Sequence, residues 1–301
     1  MFDWYPDHEY DLARAQLILF TLGMGMTLSL TDFVEIVKRP RSFIAGLVCH
    51  LLVIPLIAVL INWLCGLEPG IAVGLLLVAA MPGGALSKFF TYFGRGNMAL
   101  SISLTGVSTL LTLVTVPIML HLLASQYVPA DFAMPIADVT FDVALCLLAP
   151  LGVGLTLGRL VKRHQRILSR LCVWIGLVVV AIMIAGSLGS GRIRPLQHGF
   201  GVPLAIIAFC VIGQQLSMAP FRLLGWPRTD RTAVGIETTM RNMNLALLIN
   251  TTAFRNAPDL GNGVLFVILF YAAAAMVAGL PLSLNSRRQA RSEEAVNAQP
   301  T

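Results

Sequence analysis

The stretch Thr232–Thr252, T-A-V-G-I-E-T-T-M-R-N-M-N-L-A-L-L-I-N-T-T, restricts the possible folds more than any other part of the chain. Its two ends are apolar enough to cross a membrane, yet Glu237, Arg241, Asn242 and Asn244 occupy its middle. A charged side chain at the bilayer centre costs about 3 kcal/mol on insertion scales, so it persists only with a partner, an ion or a substrate facing it. The remaining chain has to supply whatever faces those residues.

Hydrophobic residues make up 56% of the chain and charged residues 12%. Soluble domains carry about 25% charged residues, so this composition identifies an integral membrane protein. Spans are read at Arg14–Leu30, Ser42–Leu64, Pro69–Ala85 (continuing brokenly to Tyr92) and Met98–Ala124. After a polar loop over Ser125–Ala137 come Asp138–Leu160, Ile167–Leu188, Gly199–Leu223, Thr232–Thr252 and Asn262–Leu284. These are about nine crossings, which puts the termini on opposite sides. The expected fold class is an all-α polytopic membrane protein, located in a cell membrane (the inner one if the source is bacterial).

Basic residues orient the spans. One side collects Lys38, Arg39, Arg41, Arg95, the cluster from Arg159 to Arg170, that from Arg222 to Arg231, and Arg287, Arg288 and Arg291. The other keeps only Arg14, Arg192, Arg194 and Arg255, while Lys88 and Arg241 fall inside spans. The N-terminal segment 1–13 is therefore expected outside, and the polar tail 285–301 is expected to be cytoplasmic and disordered. The net charge of +6 follows from this topology and gives no reason to expect nucleic acid. The acidic N-terminus lacks the basic region of a signal peptide. Cys49, Cys65, Cys146, Cys172 and Cys210 lack C-x-x-C spacing and read as single buried thiols.

Two spans are interrupted. Pro69–Tyr92 contains M-P-G-G-A-L-S-K, in which Pro82 removes a backbone donor and Gly83-Gly84 lets the chain leave helical geometry. Thr232–Thr252 is the other, with Asn244 placed at its break. Each lies one span before the end of its half, about 14–124 and 138–284 of a transporter domain covering 14–284. Broken spans at matching positions in two halves are the mark of an inverted-repeat transporter whose site lies where the breaks meet. A plain proline kink at Pro82 and an i,i+4 pair between Glu237 and Arg241 are the competing structural readings. Lys88 could instead snorkel toward the side where Arg95 lies. His50 on an apolar helix is more often a core residue than a proton carrier. Asp142 reads as an interfacial residue, and one of Gln214 and Gln215 as a contact to a neighbouring helix.

The chain resembles the bile acid:sodium symporter family at three blocks: L-G-M-G-M-T-L-S-L-T-D-F, the run from M-P-G-G-A-L-S-K to S-T-L-L, and G-I-E-T-T-M-R-N-M-N-L-A. The resemblance is to the nine-helix form, and it implies a core domain holding both broken helices and a panel domain against which the core moves. It also implies two sodium sites. One would comprise Ser87, Lys88, Ser101, Thr105 and Glu237, and the other Glu237, nearby carbonyls, Arg241 and His50. In the family an Asn stands at the position of Lys88, and Gln at those of Arg241 and His50. Ammonium and guanidinium groups have no acceptor for a cation, so both sodium sites read as lost and no metal is expected. Two sodium ions and one Glu carry a net +1, and so do Lys88, Arg241 and Glu237 with a neutral His50. The expectation is that two tethered cations replace two ions around Glu237.

The expected function is sodium-independent secondary transport of an organic anion, bile-acid-like or a small carboxylate, with proton coupling and facilitated movement both left open. Sodium symport and a non-transporting receptor or regulator are the alternatives. The chain contains neither H-E-x-x-H nor G-x-S-x-G, and no enzymatic role or cofactor is expected.

Overall fold

A computed structural model describes residues 4–27, 40–128, 132, 135–192 and 198–297, with the side chains of 293–297 excepted. The chain is all-α and polytopic. Its helices are α1 (Tyr5–Thr27), α2 (Pro40–Cys65), α3 (Pro69–Ala80), α4 (Ala85–Phe93), α5 (Met98–Tyr127) and α6 (Ile136–Leu160). They continue with α7 (Gln165–Gly189), α8 (Gly201–Leu223), α9 (Arg228–Thr239), α10 (Met243–Ala253) and α11 (Pro258–Asn297). Among the described residues six helices, α2, α5, α6, α7, α8 and α11, are long and apolar enough to cross a membrane. The pairs α3/α4 and α9/α10 are the two interrupted spans, and α1 contains the expected first span up to Thr27. Residues 28–30 of that span, together with Lys38, Arg39 and Arg194, lie outside the described residues.

Helix α11 runs on through Asn297, so residues 285–297 continue a helix where a disordered tail was expected. Local sequence sets the irregularities in α2, α5 and α6. Wide π turns at Cys49–Val53, Leu120–Ala124 and Ala144–Leu148 lie beside Pro55, Pro117 and Pro150. Proline cannot donate to the preceding turn, and the ladder widens around the missing bond. One face of α2 leaves Leu52, Leu56, Leu60 and Trp63 exposed, the stripe that meets lipid.

Two groups of helices pack separately. Helix α1 lies between α6 and α7 along a seam of small residues. A Cβ on Gly25 would come 2.6 Å from Leu151 O, and one on Gly154 would come 2.6 Å from Leu22 O. Membrane helices gain little from the hydrophobic effect, so close backbone approach at small residues holds this panel together. The core group is centred on α3, whose residues Ile71–Ala80 are all buried. A helix apolar on every side belongs in the middle of a bundle. Helix α11 packs along it at Gly70 and Gly263, where an added Cβ would come 2.9–3.0 Å from backbone atoms. The panel and core join chiefly through α10, which touches both α1 and the start of α6.

Candidate functional site

The two breaks cross and pair. Met81 is extended, Gly84 is extended with φ −94°, and the chain resumes as α4 at Ala85. In the other half Met240 and Asn242 leave helical geometry with ψ near 80°. Gly83 and Arg241 then form an antiparallel bridge, in which Gly84 N donates to Met240 O at 2.7 Å and Asn242 N donates to Pro82 O at 2.8 Å. Each break therefore satisfies the backbone groups of the other, which is what backbone leaving a helix inside a membrane requires. Pro82 and both glycines lie in the first break as expected. A Cβ on Gly84 would come 2.7 Å from Arg241 O, so only glycine permits this crossing. Asn244 does not lie in the second break. It is in the first turn of α10, and Met240, Arg241 and Asn242 form the break instead. The Asn242 side chain caps α10, accepting from Leu245 N at 3.1 Å.

Glu237 projects from α9 into the crossing and is 1% exposed. Ser101 Oγ donates to its Oε2 at 2.8 Å, and Thr105 Oγ1 donates to Oε1. A Cβ on Gly83 would overlap the same carboxylate. Ser87 is fully buried at the start of α4, bonded to Gly84 O at 2.8 Å and within reach of Glu237. Lys88 lies within electrostatic range of Glu237, and its Nζ meets Met24 Sδ of α1 at 3.4 Å. Ser87, Lys88, Ser101, Thr105 and Glu237 thus come together.

Arg241 is placed differently from the expectation that both cations gather around Glu237. Its Nε donates to Thr238 O at 3.0 Å, and Nη1 reaches Ala79 O at 2.7 Å, Met81 O at 2.8 Å and Val78 O at 3.3 Å. Helix α9 stops at Thr239, so the i,i+4 geometry that would pair Glu237 with Arg241 is lost. The guanidinium turns instead to the C-terminal end of α3, where unpaired carbonyls and the negative end of the helix dipole attract a cation. His50, 4% exposed on the π turn of α2, donates from Nε2 to the same Met81 O at 2.9 Å. One carbonyl thereby collects His50 and Arg241, two of the residues the sequence associates with a sodium site.

Further polar residues surround the crossing, among them Gln214, which contacts a neighbouring helix as expected for one of Gln214 and Gln215. Thr239 receives Gln214 Nε2 at 3.1 Å on its hydroxyl and Tyr271 OH at 3.0 Å on its carbonyl. Asp230 is fully buried and accepts Ser42 Oγ at 2.7 Å and Asn97 Nδ2 at 2.9 Å. Ser101, Thr105, Ser108, Thr109 and Thr112 form a buried polar stripe on α5, and their spacing of three, four and one carries the signal. Asp142, read from sequence as reaching the interface, is buried against its neighbours. Cys49, Cys146 and Cys210 are buried thiols, whereas Cys65 at the end of α2 is exposed.

A polytopic helical membrane protein whose two broken helices cross at a buried carboxyl group belongs to the structural class of broken-helix transporters. The chain belongs to the sodium bile acid symporter family, whose family model matches residues 15–192. It is 32% identical, over 80% of its length, to a protein of Arabidopsis thaliana described as a probable chloroplastic sodium/metabolite cotransporter, BASS1. To the sodium-dependent transporter YocS of Bacillus subtilis it is 31% identical over 84% of its length. The ileal sodium/bile acid cotransporter of Oryctolagus cuniculus is 26% identical over 79% of the chain. The chain spans 59% of the Arabidopsis protein, 77% of the Bacillus one and 68% of the Oryctolagus one.

Proposed function

We propose that the chain is a secondary transporter that moves an organic anion by alternating access without taking sodium from the medium. The observation that carries this reading is the position of Arg241. Its guanidinium fills the space between the carbonyls of Ala79, Met81 and Thr238, oxygens suited to a hard cation. A sodium ion about 4 Å from that guanidinium would be opposed by about 4 kcal/mol at an effective dielectric constant near 20. In the other half Lys88 supplies a second tethered cation within reach of Glu237. With one carboxylate and two fixed cations, Lys88 near Glu237 and Arg241 on the carbonyls ending α3, the crossing keeps a net positive charge, and an anion is the complementary substrate. The first turns of α4 and α10 bring positive dipole ends to the same place.

Sodium symport is the second reading. The relatives' descriptions favour it, and so does the survival of three oxygen-bearing side chains, Ser101, Thr105 and Glu237, in one cluster. Liposome uptake of taurocholate and of short-chain carboxylates, under a sodium gradient, a proton gradient and neither, separates the readings. Beside the parent, Lys88→Asn and Arg241→Gln restore amide oxygens. The parent is expected to work in choline medium, and the double variant is expected to gain a sodium dependence. A parent that works only in sodium refutes the proposal. A proton-dependent rate would point to His50 or Glu237 as the coupling group.

A further inference from the structure

At the end of the molecule where α10 finishes, three helices from both groups meet on one carboxyl group. Tyr10 OH of α1 donates to Asp142 Oδ1 at 2.9 Å and Oδ2 at 2.8 Å, sharing one proton between them. Thr252 Oγ1, just before the end of α10, donates to Oδ2 at 2.8 Å. Asp142 itself comes from α6 and is 5% exposed. The guanidinium groups of Arg14 and Arg255 lie against the Tyr10 ring, 5.3 and 5.9 Å from its centroid. Tyr10, Arg14 and Asp142 belong to the panel, whereas Thr252 and Arg255 belong to the core. Beside them opens a cavity of about 810 Å³, lined by residues of both groups.

The two half-helices that follow the breaks differ in how they are covered. In α10, Leu245–Thr251 are all buried, largely against α1 and α6. In α4, its counterpart, Leu86, Phe89 and Tyr92 are 46%, 62% and 74% exposed. The structure is therefore closed on the α10 side, and two polar ties cross from the panel to α10: Asp142 accepts from Thr252, and Gln16 Nε2 of α1 donates to Asn244 O at 2.8 Å.

We propose that Asp142 is the latch of the gate on this side. Its carboxylate, fixed by Tyr10 within the panel, accepts from Thr252 and keeps the end of α10 against the panel, and the bond to Thr252 breaks each time the site opens toward the cavity. This assignment rests on the alternating-access reading above. Tyr10, Asp142 and Thr252 are positioning residues and need not touch substrate. The Tyr10 bonds lie within the panel and fix the carboxylate, whereas the Thr252 bond alone spans the two groups and is the one that opening has to break.

The test uses the full chain in lipid vesicles with two independent readouts. First, hydrogen–deuterium exchange is followed over Met243–Ala253 in the parent, Thr252→Val and Tyr10→Phe. Each variant is expected to raise exchange in α10 at least threefold while Pro69–Ala80 stays unchanged. Second, D142C and T252C are combined in a background where the five native cysteines are replaced by serine. Oxidation is expected to cross-link the pair, drop α10 exchange below that of the reduced protein, and stop uptake of taurocholate and short-chain carboxylates until dithiothreitol is added. Unchanged α10 exchange in both single variants overturns the latch, as does a pair that fails to oxidise or a cross-linked protein that transports at the reduced rate. If the parent transports neither probe, the transport reading fails, while the exchange comparison still decides whether Asp142 holds α10.

Discussion

Replacing Gly83 with alanine tests the crossing itself. The added methyl would overlap Glu237 Oε1 and come 3.1 Å from its Cγ. The carboxylate cannot swing away freely, because Ser101 and Thr105 hold its two oxygens. Nor can the first break retreat without losing its bonds to Met240 and Asn242. Giving up two hydrogen bonds to a charged group, at about 1.5–3 kcal/mol each, sets the cost at roughly 3–6 kcal/mol. For a chain of this size that corresponds to a fall in melting temperature on the order of 10 °C. Gly152→Ala is the control, since a Cβ there meets nothing within 4 Å. It exchanges glycine for alanine inside α6 and is expected to leave the melting temperature equal or slightly raised. The assay is thermal unfolding of the purified protein, read by the loss of monodisperse material. If Gly83→Ala melts within about 2 °C of the parent, the carboxylate is not clamped against the break, and the contact between Gly83 and Glu237 does not hold the crossing together.

Four further outcomes follow from the same structure. Gly158→Ala, whose Cβ would meet the backbone carbonyl of Met26, should separate α1 from α6 and cost about 1–3 kcal/mol in the same melt. Asp230→Ala leaves Ser42 and Asn97 without their buried acceptor and should cost about 2–4 kcal/mol, whereas Tyr271→Phe removes one bond to Thr239 O and should cost about 1 kcal/mol. Arg241→Gln should make the melting temperature rise with added sodium, by an amount equivalent to about 2.7 kcal/mol at a hundredfold excess over the dissociation constant, while the parent stays flat.

Much of this architecture was legible in the sequence because its signals are local. Hydropathy located the spans, and Pro82 with Gly83-Gly84 located the first break by removing a donor and a side chain at one point. The second break was legible only as excess polarity, since M-R-N contains neither proline nor glycine. Its placement at Asn244 was therefore displaced by a few residues from Met240–Asn242. The convergence of Ser101, Thr105 and Glu237 came from the family resemblance, which encodes contacts between distant helices. What sequence could not provide was the direction of Arg241. Spacing on a continuous helix aims it at Glu237, but the turn at Met240 swings it onto the carbonyls ending α3. Asp142 reads only as interfacial and Asp230 carries no signal, because a carboxylate near a span end looks solvated until the helices around it are known. The long continuation of α11 past Leu284 was missed for a similar reason: a polar, charged sequence forms a helix as readily as a coil when nothing apolar marks its face.

The most direct test of the tethered-cation account is the sodium that accompanies substrate. Radioactive sodium influx is measured in proteoliposomes during uptake of whichever organic acid the parent transports, with no other gradient applied. The account predicts substrate entry down its own gradient or by exchange, with no substrate-linked sodium influx in the parent, and the appearance of such influx in the Lys88→Asn, Arg241→Gln double variant. A fixed number of sodium ions entering with each substrate in the parent would contradict it, because the cations at the crossing would then come from the medium.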